Sequence, residues 1–264
     1  MNKLLMATAA VAFATAGTAG AADLPTKAPP MVAAAPIASW TGCYVDGGIG
    51  YGMWNQDHSV NNAGLAVNSV TTTDGGRGWL GRIGVGCDYQ VAPQFLIGAF
   101  GDWDWMNLKG SQSPSELIAV GNITAPVTAN IKETNAGYAG VRVGYLPYPN
   151  LLTFISGGWT RAHFTESQEF RTDTGGAIAF GFPGSYNVNG WFIGGGTEYR
   201  VPWAQNLTWK TEYRFAQYQS INLVETNLGG TPTGNILNSQ SFVQTVTTSL
   251  VWRFNFGGPV VARY

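Results

Sequence analysis

From residue 40 onward, apolar or aromatic residues recur at every second position, with small, polar or charged residues between them, in eight separate stretches. Period-two alternation sends successive side chains to opposite faces of a strand, so each stretch is predicted to be a strand with one greasy and one polar face. The first runs from about Trp40 to Trp54, with Val45, Ile49, Tyr51 and Met53 opposite Asp46 and several glycines. The second, Trp79 to Gln90, sets Trp79, Ile83, Val85 and Tyr89 against Arg82, Asp88 and Gln90, and the third, Phe95 to Trp105, sets Phe95, Ile97, Ala99, Trp103 and Trp105 against Asp102 and Asp104. The fourth, Thr134 to Tyr145, puts Val141, Val143 and Tyr145 opposite Arg142, whereas the fifth, Leu151 to Phe164, is apolar on both faces. The sixth, Trp191 to Arg200, separates Trp191, Ile193 and Tyr199 from Glu198 and Arg200. The seventh, Asn206 to Gln217, separates Leu207, Trp209, Tyr213 and Phe215 from Lys210, Glu212 and Arg214. The eighth sets Val246, Leu250, Trp252, Phe254 and Phe256 against Thr245, Thr247, Ser249, Arg253 and Asn255.

The segments between these strands alternate in length. Val91 to Gln94, Leu146 to Asn150 and Val201 to Gln205 are short and carry Pro or Asn, whereas 55–76, 106–133, 165–189 and 218–243 are long and rich in Asn, Thr, Ser and Gly. Short turns on one side and long polar loops on the other, with an even strand count, match an eight-stranded antiparallel transmembrane β-barrel with both termini in the periplasm. A soluble eight-stranded carrier barrel is the competing fold, but it would carry apolar residues inside and polar ones outside. Here the lone charges stand opposite the aromatics.

Composition points the same way. Charged residues make up 11% of the chain, against about 25% in an average soluble domain. After the N-terminal segment no apolar run reaches the roughly 18 residues that a spanning helix needs. A formal net charge of −1 gives no basic face for nucleic acid. The start of the chain reads as an export signal: Lys3, an apolar run from Leu4 to Ala16, and Ala19-Gly20-Ala21 as a small-x-small cleavage site. The expected organisation is therefore a signal peptide over 1–21, a Pro/Ala-rich periplasmic tether over 22–39, a barrel over 40–256 and a short tail over 257–264.

Three stretches resemble the opacity-type outer-membrane immunogenic proteins of alpha-proteobacteria: Trp40-Thr-Gly-Cys-Tyr-Val-Asp-Gly-Gly-Ile-Gly-Tyr-Gly52, Gly190-Trp-Phe-Ile-Gly-Gly-Gly-Thr-Glu-Tyr199 and Leu207-Thr-Trp-Lys-Thr-Glu-Tyr-Arg-Phe215. The Asp23-Leu-Pro25 entry after the signal also looks familial. The resemblance spans essentially all of 40–256. It implies an eight-stranded barrel of the Gram-negative outer membrane, exposed as a surface antigen and often labelled porin-like, with no catalytic residues and no cofactor to carry over. It also implies an aromatic assembly signal on the last strand, here Trp252, Phe254 and Phe256, read by the barrel-assembly machinery. Pro259 ends that strand's capacity to pair, and Tyr264 is the alternative signal.

The inward positions hold six acids, Asp46, Asp88, Asp102, Asp104, Glu198 and Glu212, and six bases, Arg82, Arg142, Arg200, Lys210, Arg214 and Arg253. An eight-stranded barrel is only just wide enough for its interior side chains, so these charges are expected to pair across the lumen as a plug. The alternative is a narrow small-solute porin. Cys43 and Cys87 are the only cysteines; they share the outward parity and can reach one height on adjacent strands, which predicts a disulfide. Two cysteines without nearby His make a poor metal site. His163, Thr165 and Ser167 at the end of strand five are the one candidate for a lipid-modifying activity, and a polar loop is the plainer account. The expected function is non-enzymatic: envelope integrity and presentation of loops, with outer-membrane lipid and lipopolysaccharide as surroundings.

Overall fold

The computed structural model describes residues 39–62, 65–68, 72–112, 117–120, 123–166, 170–171, 180–181, 184–204, 206–227 and 230–254. The expected signal peptide, most of the tether, Phe256 and the tail lie outside these residues.

Among the described residues, eight long strands form the barrel: β1 (Gly42–Asn62), β2 (Thr72–Ala92), β3 (Phe95–Gln112), β4 (Ile123–Tyr148), β5 (Leu151–Glu166), β6 (Ser185–Arg200), β7 (Leu207–Tyr218) and β8 (Pro232–Phe254). Each pairs antiparallel with its neighbours in sequence, and β1 pairs with β8 from Cys43↔Phe254 to Asn62↔Asn235, which closes the sheet. Closure removes the unpaired edges that an open sheet would present.

Register fixes the girth. A path that leaves β3 at Trp105 and crosses Gly81, Ile49, Thr248, Thr211, Thr197, Thr153 and Tyr145 returns to β3 at Phe95, ten residues lower. Eight strands with a stagger of ten tilt by about 41° and enclose a backbone cylinder of about 8 Å radius. That leaves space for inward side chains and little else.

The two faces divide sharply. Trp79, Ile155 and Ile193 are 67%, 67% and 56% exposed, while Asp104, Glu198 and Thr208 are fully buried at 0%. Outward aromatics gather at two levels. Trp79, Trp105, Trp159 and Trp191 mark the end with the long connections, and Tyr89, Phe95, Tyr145, Tyr199, Trp209 and Trp252 mark the end with the short turns. Aromatic rings at two heights with an aliphatic band between them are what two membrane interfaces require. Within the wall, Gly158 opposes Gly140, and a Cβ on Gly158 would stand 2.2 Å from the Ala139 carbonyl oxygen. Only glycine permits that approach.

The strands run well past the expected boundaries. The first extends to Asn62 instead of Trp54, the second begins at Thr72 instead of Trp79, the third reaches Gln112 and the fourth begins at Ile123 instead of Thr134. Parts of the segments expected as loops are thus continued barrel wall. The backbone ladder persists there without a lipid-facing pattern, because outside the bilayer the outward residues are free to be polar. Lys109 and Lys132 point out while Leu108 and Ile131 are buried. The apolar inward residues of β5, Leu152, Phe154 and Phe164, have the same cause: they belong to apolar layers inside the barrel.

Candidate functional site: the barrel lumen

The lumen is stacked in layers along the barrel axis. At the short-turn end Trp40, Leu96, Leu146, Leu152 and Phe154 form an apolar floor. Trp40 is held from both sides, its indole donating to the Pro149 carbonyl at 3.1 Å and its backbone N–H to Gln90 Oε1 at 3.1 Å.

Above the floor, four charged side chains from alternate strands form a square. Arg253 of β8 spans Asp88 of β2 (Nη1–Oδ2 2.8 Å) and Glu198 of β6 (Nη2–Oε1 2.7 Å). Arg142 of β4 meets the same two acids, donating from Nε to Asp88 Oδ1 at 2.8 Å and reaching Glu198 Oε2 at 3.3 Å. Thr208 also donates to Glu198. The guanidiniums stack on rings, Arg142 over Tyr44 at 4.7 Å and Arg253 over Trp40 at 4.7 Å. Stacking shields their faces while the edges are hydrogen-bonded.

A second cluster follows. Arg82 donates to both oxygens of Asp104 at 2.7 and 2.6 Å, and Arg214 to both oxygens of Asp102 at 2.7 and 2.7 Å. Glu212 joins them, accepting from Arg214 at 2.8 Å, Arg82 at 3.3 Å and Ser156 at 2.9 Å. Lys210 Nζ lies 2.6 Å from Asp46 Oδ2 between the two clusters. Arg214 is enclosed by Phe100, Tyr138 and Phe192 at 5.1, 4.9 and 5.2 Å.

Of the twelve charges expected in the lumen, eleven are buried and joined in this way. Arg200 departs. It stands half-buried at the short-turn mouth, stacked on Trp40 at 4.6 Å and donating to the Ser39 carbonyl at 3.4 Å. Its position as the last residue of β6 puts it at the end of the wall. On β7, Arg214 takes Asp102 across the lumen, Lys210 takes Asp46, and Glu212 joins Arg214 on its own strand and Arg82 on β2.

The upper lumen was not legible as a site. Trp54, Leu80, Met106, Leu108, Ile131, Ala136, Phe164, Val188 and Val243 pack into an apolar layer with Tyr138, Phe192 and Tyr218. Glu133 is buried at the level of this layer, and neither carboxylate oxygen has a hydrogen-bond partner. It falls in a segment expected as a loop; its signal is the Ile131/Glu133 spacing of two on an inward face. Higher still, Gln56 donates to Ser239 and to Tyr186 Oη at 3.3 Å, and His58 Nε2 lies 3.4 Å from Asp74 Oδ2.

On the outer wall Cys43 and Cys87 are directly opposed on β1 and β2 and form a disulfide. Trp252 and Phe254 point outward at the end of β8. His163 Nδ1 meets Asn187 Oδ1 at 3.1 Å, and Thr165 Oγ1 donates to the Lys132 carbonyl at 3.4 Å, so each is engaged by a different neighbour; Ser167 lies outside the described residues. Among the described residues no group of three His, Cys, Asp or Glu side chains is gathered in a way that could hold a metal.

No protein-family profile matches the chain. It is similar to the 31 kDa outer-membrane immunogenic proteins of Brucella melitensis and Brucella suis, each 26% identical over 261 residues that span 96% of this chain and all of the relative. Among solved structures it resembles the outer membrane protein OprG from Pseudomonas aeruginosa, with a TM-score of 0.51 at 9% identity over 83% of this chain and all of that one. At that identity the likeness concerns the fold alone. The closed antiparallel ring and these relatives together make the chain an eight-stranded outer-membrane-type β-barrel whose named relatives are outer-membrane immunogenic proteins.

Proposed function

We propose that the protein is a non-enzymatic barrel of the Gram-negative outer membrane, exported by its N-terminal signal, which contributes to envelope integrity and presents its long connections at the cell surface. The observation that carries this reading is the lumen: eleven buried charges tied across five or more strands, closed above by an apolar layer and below by an apolar floor. A conducting pore needs a continuous wet path, and an interior of about 8 Å backbone radius filled by arginines and aromatic rings leaves none. The two aromatic levels and the similarity to outer-membrane immunogenic proteins support the location.

Deleting the gene from its host is expected to increase entry of a hydrophobic dye and sensitivity to detergent, while uptake of small hydrophilic solutes stays unchanged. Antibodies raised against the segments between β1 and β2 and between β7 and β8 are expected to bind intact cells. Slower uptake of small solutes without a permeability defect would replace this reading with a porin.

A further inference from the structure

The apolar outer band ends at its upper edge in a row of cations. Arg77 and Lys109 are exposed and Lys132 half-buried, all facing outward, and they occupy directly opposed positions on three neighbouring strands: Arg77↔Lys109 and Lys109↔Lys132. Opposed side chains of an antiparallel pair have Cβ atoms about 4.5–5.5 Å apart, and like charges there destabilise the sheet. The flanking positions offer no relief, since Met53 lies beyond Arg77 and Thr165 beyond Lys132. Among the described residues the ion pairs engage His58, Arg82, Arg142, Lys210, Arg214 and Arg253, and none engages these three. Asp57, the outward acid of β1, accepts instead from Thr73.

The row has a definite height. A strand tilted by about 41° gains about 2.5 Å per residue along the barrel axis, so Arg77 stands about 5 Å above Trp79 and Lys109 about 10 Å above Trp105. With indole rings at the headgroup boundary, that is the level of lipid phosphoryl groups. Below the row, on the same side of the barrel, the outward faces of Val45, Ile83, Val85 and Trp103 border a groove of about 590 Å³ over Gly101. Acyl chain and phosphate could be met by one stretch of wall.

We propose that Arg77, Lys109 and Lys132 form a site for a phosphoryl group of an anionic glycolipid in the outer leaflet; this rests on the outer-membrane reading given above. The guanidinium supplies a fork matched to two phosphate oxygens, and the two ammonium groups neutralise the remaining charge. The bound anion removes the like-charge repulsion along the row. The eleven buried lumen charges, by contrast, are paired with one another and take no part.

The full-length protein in detergent is titrated with lipopolysaccharide, with the same glycolipid after enzymatic dephosphorylation, and with inorganic pyrophosphate, and its melting is followed. Phosphorylated glycolipid is expected to raise the melting temperature saturably; the other two are not. Changing all three residues together, Arg77→Gln, Lys109→Gln and Lys132→Gln, is expected to weaken the apparent affinity at least about tenfold. An equal rise with dephosphorylated glycolipid overturns the proposal and needs no variant, and an equal rise with pyrophosphate overturns the assignment to a lipid. Insertion into phosphatidylcholine vesicles, scored by protease protection, separates the two readings. A triple variant that inserts and keeps the wild-type affinity overturns the site alone, whereas a wild-type protein that does not insert overturns the membrane reading.

Discussion

The lower and upper halves of the lumen solve one packing problem by opposite chemistry. Between the apolar floor and the level of Leu80 the interior is ionic, and Arg82, Arg142, Arg214 and Arg253 each meet two or more carboxylates. Above it lies an apolar layer, at whose level Glu133 is buried with no hydrogen-bond partner among the described residues. The difference follows the surroundings of the wall. Where lipid covers the outside, the apolar residues are used there and the inside takes the polar set; where water covers the outside, the assignment reverses. One chain thus switches from an inverted barrel to an ordinary one along its own strands.

The ionic half should be the more brittle under single changes. Glu212→Ala leaves Arg214 and Arg82 short of a partner in a buried site and is expected to cost about 3–5 kcal/mol, read by urea unfolding in vesicles. Replacing both members of the Lys210–Asp46 pair, as Lys210→Met with Asp46→Leu, is expected to come close to neutral, because a buried pair repays little beyond its own desolvation. A double replacement as costly as Glu212→Ala would show that the network contributes more than mutual charge compensation.

The switch between halves can be tested on one strand. Ile193 and Asn189 both face outward on β6, four positions apart and on opposite sides of Trp191. Ile193→Arg, if near the bilayer midplane, is expected to cost about 2–4 kcal/mol, and Asn189→Arg to stay within about 0.5 kcal/mol. Equal penalties would mean that lipid does not stop at the tryptophan level. In the upper core Ile131→Val is expected to cost about 0.5–1.5 kcal/mol, the ordinary price of one buried methyl group.

The smallest expected effect has the opposite sign. Glu133→Gln keeps the shape and removes an ionisable group that has no partner, so the melting temperature is expected to hold or rise slightly at neutral pH. A clear loss of stability would reveal that Glu133 accepts a bond from a neighbour when the protein is in the membrane.

How far the sequence could be read follows from the same switch. Where lipid touches the wall, as at Trp209, Lys210, Tyr213 and Arg214, both faces announce themselves, and strand order, parity and the inward charges could be taken from the alternation alone. The Cys43–Cys87 bond was legible because parity and strand direction together place two residues at one height. The upper wall was hidden for a physical reason. Lys109 and Lys132 outside, with Leu108 and Ile131 inside, alternate as well as any strand, but short apolar spacings in polar surroundings resemble loops. Partner choice within the lumen was hidden too. Whether Lys210 takes Asp46 or Asp102 depends on stagger, and the stagger of ten emerges only from register around the whole ring.

The central claim is that the lumen is closed, and single-channel recording on the purified barrel in a planar bilayer tests it most directly. The account predicts no stable open level for the wild-type protein across a range of voltages, with brief flicker introduced by Glu212→Ala. A steady wild-type conductance whose ion selectivity inverts when Glu212 and Arg214 are exchanged would contradict it.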